Sequence, residues 1–365
     1  MGVAPIITGL LIIAIAVAGI VVWRLRRRGG ITADHGYDAA HPVAAAESAA
    51  QRAPEASGGA SDALAAELAR SSARLWAGSL GGARFEFDVP PGHEPIMLAA
   101  RKALAADPLA ERYFPRRPLL MPQLLAAVND PDAPPLKLAG IISQDPVLTG
   151  NILRLANSVY FRLSAVPVES IQRAVVVCGT DGLQSLAATA LVQPVFRAGT
   201  EEHSRFPAML WERCTQASIA AEMCARQWCP ADRQAAQLLA LLSALGPLVA
   251  YRVVQDQYRA QPNLPPAPAV FLQVIDRFST VMAARIATLW QSPPRIIAVL
   301  QGDDRREPLV RALRAGELLA TLSLLASQGR ATDEDCAAQA LAAGIAAPLF
   351  GAVWARLHPP AESAA

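Results

Sequence analysis

Residues 144–158 read QDPVLTGNILRLANS and residues 168–179 read VESIQRAVVVCG, and these two short runs decide the fold class. Asp145 followed by Pro146 is a helix start: a carboxylate accepts from free first-turn N–H groups, and proline has no N–H to leave unpaired. Beyond it, Leu148, Ile152, Leu155 and Val159 recur at spacings of four, three and four, which predicts one buried helical face. Asn157 and Ser158 arrive as that helix runs out. In the second run Ser170 precedes Ile171, Ala174, Val175 and Cys178, again one face of a helix. Gly179 then supplies the residue most tolerant of a left-handed ending, and Thr180 is placed to cap the helix that follows. Long stretches of period-two alternation are missing, so the chain is expected to be all-α.

Working outward, the order and spacing of an IISQDP element, an LRLANS element and an SIQRAVVVCG element resemble the HDOD family, the HD-related output domains of bacterial signalling proteins. The resemblance runs from about Leu119 to Gln301, places a multi-helix HD-related bundle at residues 118–302, and implies a role in signalling output. HD-type phosphohydrolases draw histidine and aspartate side chains onto divalent ions that activate a water for attack on phosphorus. Against that pattern this chain offers Cys214 and Thr215 at the early His-Ser position. It has Ser243 and Ala244 at the paired His-Asp position, with Gly246 behind them. Serine and alanine are poor ligands for a divalent ion, so the resemblance implies no metal centre, no catalytic residue and no cofactor. Residues 289–301, LWQSPPRIIAVLQ, resemble the family's tryptophan-then-proline element. Trp290 is expected as a core anchor, because tryptophan buries a large area. Gln301 and Gly302 stand where the family often carries histidines.

The bulk properties exclude little. At 365 residues the chain has room for two or three domains, or for one large domain with extensions. A net charge of +2 does not point to nucleic acid, and no nucleic-acid partner is expected. The five cysteines, Cys178, Cys214, Cys224, Cys229 and Cys336, form no CxxC pair and read as thiols buried in a reducing compartment. No phosphate-binding GxxxxGK[ST] loop and no GxSxG elbow is present.

Val3 to Trp23 carries no charged residue and matches the ~20 residues that span a bilayer as a helix. Arg24, Arg26, Arg27 and Arg28 follow it, which predicts a single-pass anchor over residues 1–28 in the inner membrane with a cytoplasmic body. Residues 29–60, rich in Ala, Ser, Gly and Pro, are expected to be a disordered tether, with His35 and His41 inert in it. A juxtamembrane helical segment is expected over 61–117, where Leu64, Leu68 and Leu75 share one helix face and Ile96, Ala99, Ala100 and Ala103 another. Between them Phe85, Phe87 and Val89 alternate like a strand too short to build a sheet. A C-terminal helical extension is expected over 303–365, with Leu309, Leu313, Leu318 and Leu322 near one face and a capping-box-like start at Thr332 and Asp335.

Arg154, Asn157, Ser158 and Arg173 are the polar residues of the most family-like stretch and could line a groove for an anionic ligand or a partner helix. Asn157 and Ser158 could equally satisfy backbone groups at a helix end, and the two arginines could form a solvated face. Three functions remain open. The first is a membrane-tethered, non-catalytic scaffold that presents its bundle to a signalling protein, with a homodimer through the helix that begins at Ser61 also open. The second is a sensor holding a nucleotide or second messenger in a vestigial phosphohydrolase pocket through arginines. The third and least supported is a metal phosphohydrolase with unusual ligands.

Overall fold

A computed structural model of the chain describes residues 53–81, 88–106, 113, 135–143, 145–164, 166–197, 205–302, 304 and 306–359. The chain divides into two units, Met1–Ala53 and Pro54–Ala365. The expected anchor with Arg24, Arg26, Arg27 and Arg28, most of the expected tether, and Phe85 and Phe87 lie outside the described residues.

Every regular element among the described residues is a helix. Helix α1 (Ala53–Ser79) begins earlier than the tether reading allowed. A proline next to its first residue and a run of alanines favour helix there despite Gly58 and Gly59. It is followed by α2 (Glu94–Ala105), α3 (Pro135–Ser143), α4 (Pro146–Ala156) and α5 (Ile171–Arg197). Then come α6 (Arg205–Trp228), a 3-10 turn (Pro230–Asp232), α7 (Arg233–Ser243), α8 (Leu245–Arg259) and α9 (Pro268–Leu289). The chain continues with α10 (Pro294–Gln301), α11 (Pro308–Ser327), α12 (Asp333–Ala342) and α13 (Ala347–Leu357).

Local signals set several of these boundaries. Asp145 Oδ1 accepts from the N–H groups of Val147 and Leu148 at 2.9 and 3.0 Å, and Pro146 occupies the first turn of α4. Leu148, Ile152 and Leu155 are buried, but Val159 is 54% exposed. The predicted face fails there because α4 has already ended at Ala156, and a helical period does not carry past a terminus. Gly179 has φ 70 and ψ −176, and breaks α5 in two. Glycine fits there because it alone adopts positive φ without penalty. Thr332 and Asp335 form a reciprocal capping box at α12.

The core is built around α6, which packs most extensively on α11 and α7, while α8 lies along α9. Two glycines set the spacing of these pairs. A Cβ on Gly316 would stand 2.5 Å from the Ala221 nitrogen, so α11 and α6 meet backbone to backbone. A Cβ on Gly246 would stand 1.9 Å from the Ser279 carbonyl oxygen, which fixes how closely α8 approaches α9. Leu309, Leu313, Leu318 and Leu322 of the expected extension are buried in the same core as Leu64 and Leu75 of α1. Trp290 ends α9 at 2% exposure, as a core anchor. Two runs, Ile171–Phe196 and Pro230–Arg259, are long and apolar enough to cross a membrane. The second is mostly buried inside the fold and the first carries the Gly179 break, which reads as core helix in both cases.

Candidate functional site

The positions that resemble the HD ligands lie on α6 and at the junction of α7 with α8. Cys214 is fully buried in α6, with Sγ 4.0 Å from the Leu241 carbonyl oxygen. Burial pushes its thiol far above the usual range, so it stays protonated and is a poor ligand. Ala244 is buried between α7 and α8. Of the three residues, Ser243 alone reaches a cavity of about 300 Å³, which is also lined by Trp76, Arg213, Gln301, Arg314 and Glu317. Among the described residues no three His, Cys, Asp or Glu side chains converge in a way that could hold a metal ion. His93 Nδ1 is hydrogen-bonded to the Tyr258 hydroxyl at 2.8 Å, His358 Nε2 lies 3.3 Å from Ser323 Oγ, and His203 lies outside the described residues.

A buried charge network occupies this junction instead. Ser243 Oγ donates to Glu317 Oε1 at 2.7 Å. Arg213, 4% exposed, donates from Nε to Thr321 Oγ1 at 2.9 Å and holds Nη1 4.0 Å from Glu317. Its guanidinium lies over the Trp76 ring of α1, 5.0 Å from the centroid. Burial lowers the Arg213 pKa and the Glu317 carboxylate partly opposes that. Arg213 and Glu317 were not foreseen as site residues, although the sequence held a signal. Phe206, Leu210 and Arg213, like Leu313, Glu317 and Leu324, fall on one helical stripe, so each charge interrupts an apolar face.

The four polar residues of the family-like stretch separate into two groups. Asn157 closes its loop: Nδ2 donates to the Leu153 and Val168 carbonyls at 2.9 Å each, and Oδ1 accepts from the Val168 N–H at 2.8 Å. Ser158 Oγ donates to the Leu155 carbonyl at 2.7 Å. Arg154 is bonded to Asn151, and Arg173 is exposed, its N–H donating to Ser170 Oγ at 3.1 Å. Arg154 and Ser158 do come together in a second cavity of about 280 Å³, with Tyr160, Gln193, Trp211 and Glu212. Asn157 and Arg173 do not line it. Neither Arg154 nor Arg173 reaches the cavity beside Ser243.

Solved structures with this fold include an HDOD domain protein from Geobacter sulfurreducens, 20% identical, with a TM-score of 0.50 over 72% of this chain and 89% of its own. A proposed metal-dependent phosphohydrolase from Shewanella amazonensis SB2B is 19% identical and covers 73% of this chain and 99% of its own, with a TM-score of 0.48. At 20% identity the likeness to the Geobacter protein speaks to the fold alone. No curated protein matches. The HDOD domain model matches residues 114–304, more than half of the chain, and takes in the Asp145 start, the Asn157 loop, the Gly179 break and the Ser243-Ala244 pair. Motif order, helical architecture and family model agree, and the chain belongs to the HDOD family.

Proposed function

We propose that this protein is a non-catalytic signalling scaffold, tethered to the inner membrane by residues 1–28 with its helical body in the cytoplasm. The observation that carries the reading is the buried guanidinium of Arg213, set 4.0 Å from Glu317, the carboxylate to which Ser243 donates in the inner cavity. Fixed positive charge beside the degenerate ligand positions opposes a divalent cation there, because like charges in a low-dielectric setting repel strongly. The face offered to a partner is the segment from α4 to the start of α5. It exposes Val147, Val159, Leu163, Val166 and Val176 together with Arg154 and Arg173. Exposed aliphatic side chains among cations suit an amphipathic, acidic partner surface.

The test is photo-crosslinking in the native host, with a photoreactive residue placed in the full chain at Val147, Val166 or Val176, and at Leu341 as control. A discrete adduct from the first three positions and none from Leu341 supports the reading, and an adduct of the chain with itself identifies a homodimer. Absence of any discrete adduct from all three positions counts decisively against it.

A further inference from the structure

In the cavity beneath α1 the scaffold reading uses the charge of Arg213 but not its hydrogen-bond donors. Arg213 is buried and donates one hydrogen bond, from Nε; neither terminal nitrogen has a hydrogen-bond partner among the described residues. A guanidinium carries five N–H donors in a fixed fork, four of them on those two nitrogens. Those donors call for an acceptor, which water or a ligand in the cavity can supply. Glu317 does not meet that need: it stands 4.0 Å away and accepts from Ser243. Since the side chain lines the cavity, the space in front of it is what those donors face.

The rest of the lining suits an anion. Arg314 contributes a second cation, and Gly302 makes room for it: a Cβ there would sit 3.1 Å from Arg314 Nη2. Among the described residues the lining holds the carboxylates of Glu317 and Asp276, and Asp276 stands exposed at the rim. Ser279 and Thr280 of α9 add hydroxyls, and Leu68, Ala69 and Trp76 of α1 form an apolar wall. A volume of about 300 Å³ lies at the small end of ligand sites, so the occupant is metabolite-sized.

We propose that this cavity binds a small molecule bearing a phosphate or carboxylate group, held by Arg213 and Arg314 and closed over by α1. The arginines differ from Arg154 and Arg173, which the sequence had suggested, and the site is independent of any protein partner. The experiment is calorimetric titration of the full chain in detergent micelles with inorganic phosphate, citrate and adenosine monophosphate. Saturable binding of at least one probe is expected, and which one binds separates free phosphate, a carboxylate and a nucleotide as sources. Arg213→Lys should weaken it by about tenfold or more, the loss of a charge-assisted bidentate contact. Because Arg213 is buried and its variant could fail to fold, two further changes are included. Arg314→Gln removes the half-buried cation, and Ala69→Leu pushes the wall inward; each should weaken binding about tenfold with helicity unchanged by circular dichroism. Lack of saturable binding to all three probes by the folded chain overturns the proposal, as does unchanged affinity in both Arg314→Gln and Ala69→Leu.

Discussion

The stretch from Asp145 to Gly179 and the seam between α6 and α11 spend their polar residues in opposite ways. In the first, Asp145, Asn157, Ser158 and Ser170 all turn back onto nearby main-chain groups, so polarity there serves to stop and start helices. In the second, Arg213, Ser243 and Glu317 are held by one another and by the Thr321 side chain, at the edge of a cavity. The comparison separates residues that define a fold from residues available for chemistry. Capping groups are satisfied locally and have little left to offer a ligand, whereas a charge beside a cavity keeps donors that water or a ligand can meet.

If that contrast is right, substitutions should rank by which kind of contact they break. The largest effect belongs to the seams between helices: Gly246→Ala should cost about 3 kcal/mol or more in urea unfolding, since the new methyl overlaps the Ser279 carbonyl and α8 must lift from α9. Asn157→Ala comes next at about 2 kcal/mol, because three hydrogen bonds are lost and the buried Val168 is left with an unmet N–H. Asn157→Asp should give no rescue, as a carboxylate would face two carbonyl oxygens. Asp145→Ala should cost about 1 kcal/mol, the usual value of an N-cap. Arg173→Ala, on an exposed side chain, should change stability by less than about 0.5 kcal/mol. A loss for Arg173→Ala as large as that for Asn157→Ala would break the contrast, and the order of the other three sharpens it.

The fold was legible where the signal was local. Asp145-Pro146, the glycine at 179 and the Thr332–Asp335 box are readable because a cap is decided within four residues. Val159 was misread because periodicity says where a face points but not where a helix ends. The junction beside Ser243 was legible only in the negative, as missing ligands. Its positive content depends on Trp76, Arg213 and Glu317, which lie far apart in the chain and meet only when α1, α6 and α11 pack together. No spacing rule reports such a meeting. The interruption of two apolar stripes by Arg213 and Glu317 was the single clue available beforehand.

The place of α1 and α11 in the core has a practical consequence for anyone who expresses the domain by itself. The family's limits, 114–304, leave out Leu64, Leu75 and Trp76 on one side and Leu309, Leu318 and Leu322 on the other, all of them buried. A fragment cut at those limits would bare the α6 face that α11 covers and open the wall beside Arg213. Such a fragment should aggregate on expression, while one spanning 54–359 should not. What sequence comparison recognises as a domain is here smaller than what folds as one, and gene fragments are better cut by the second measure.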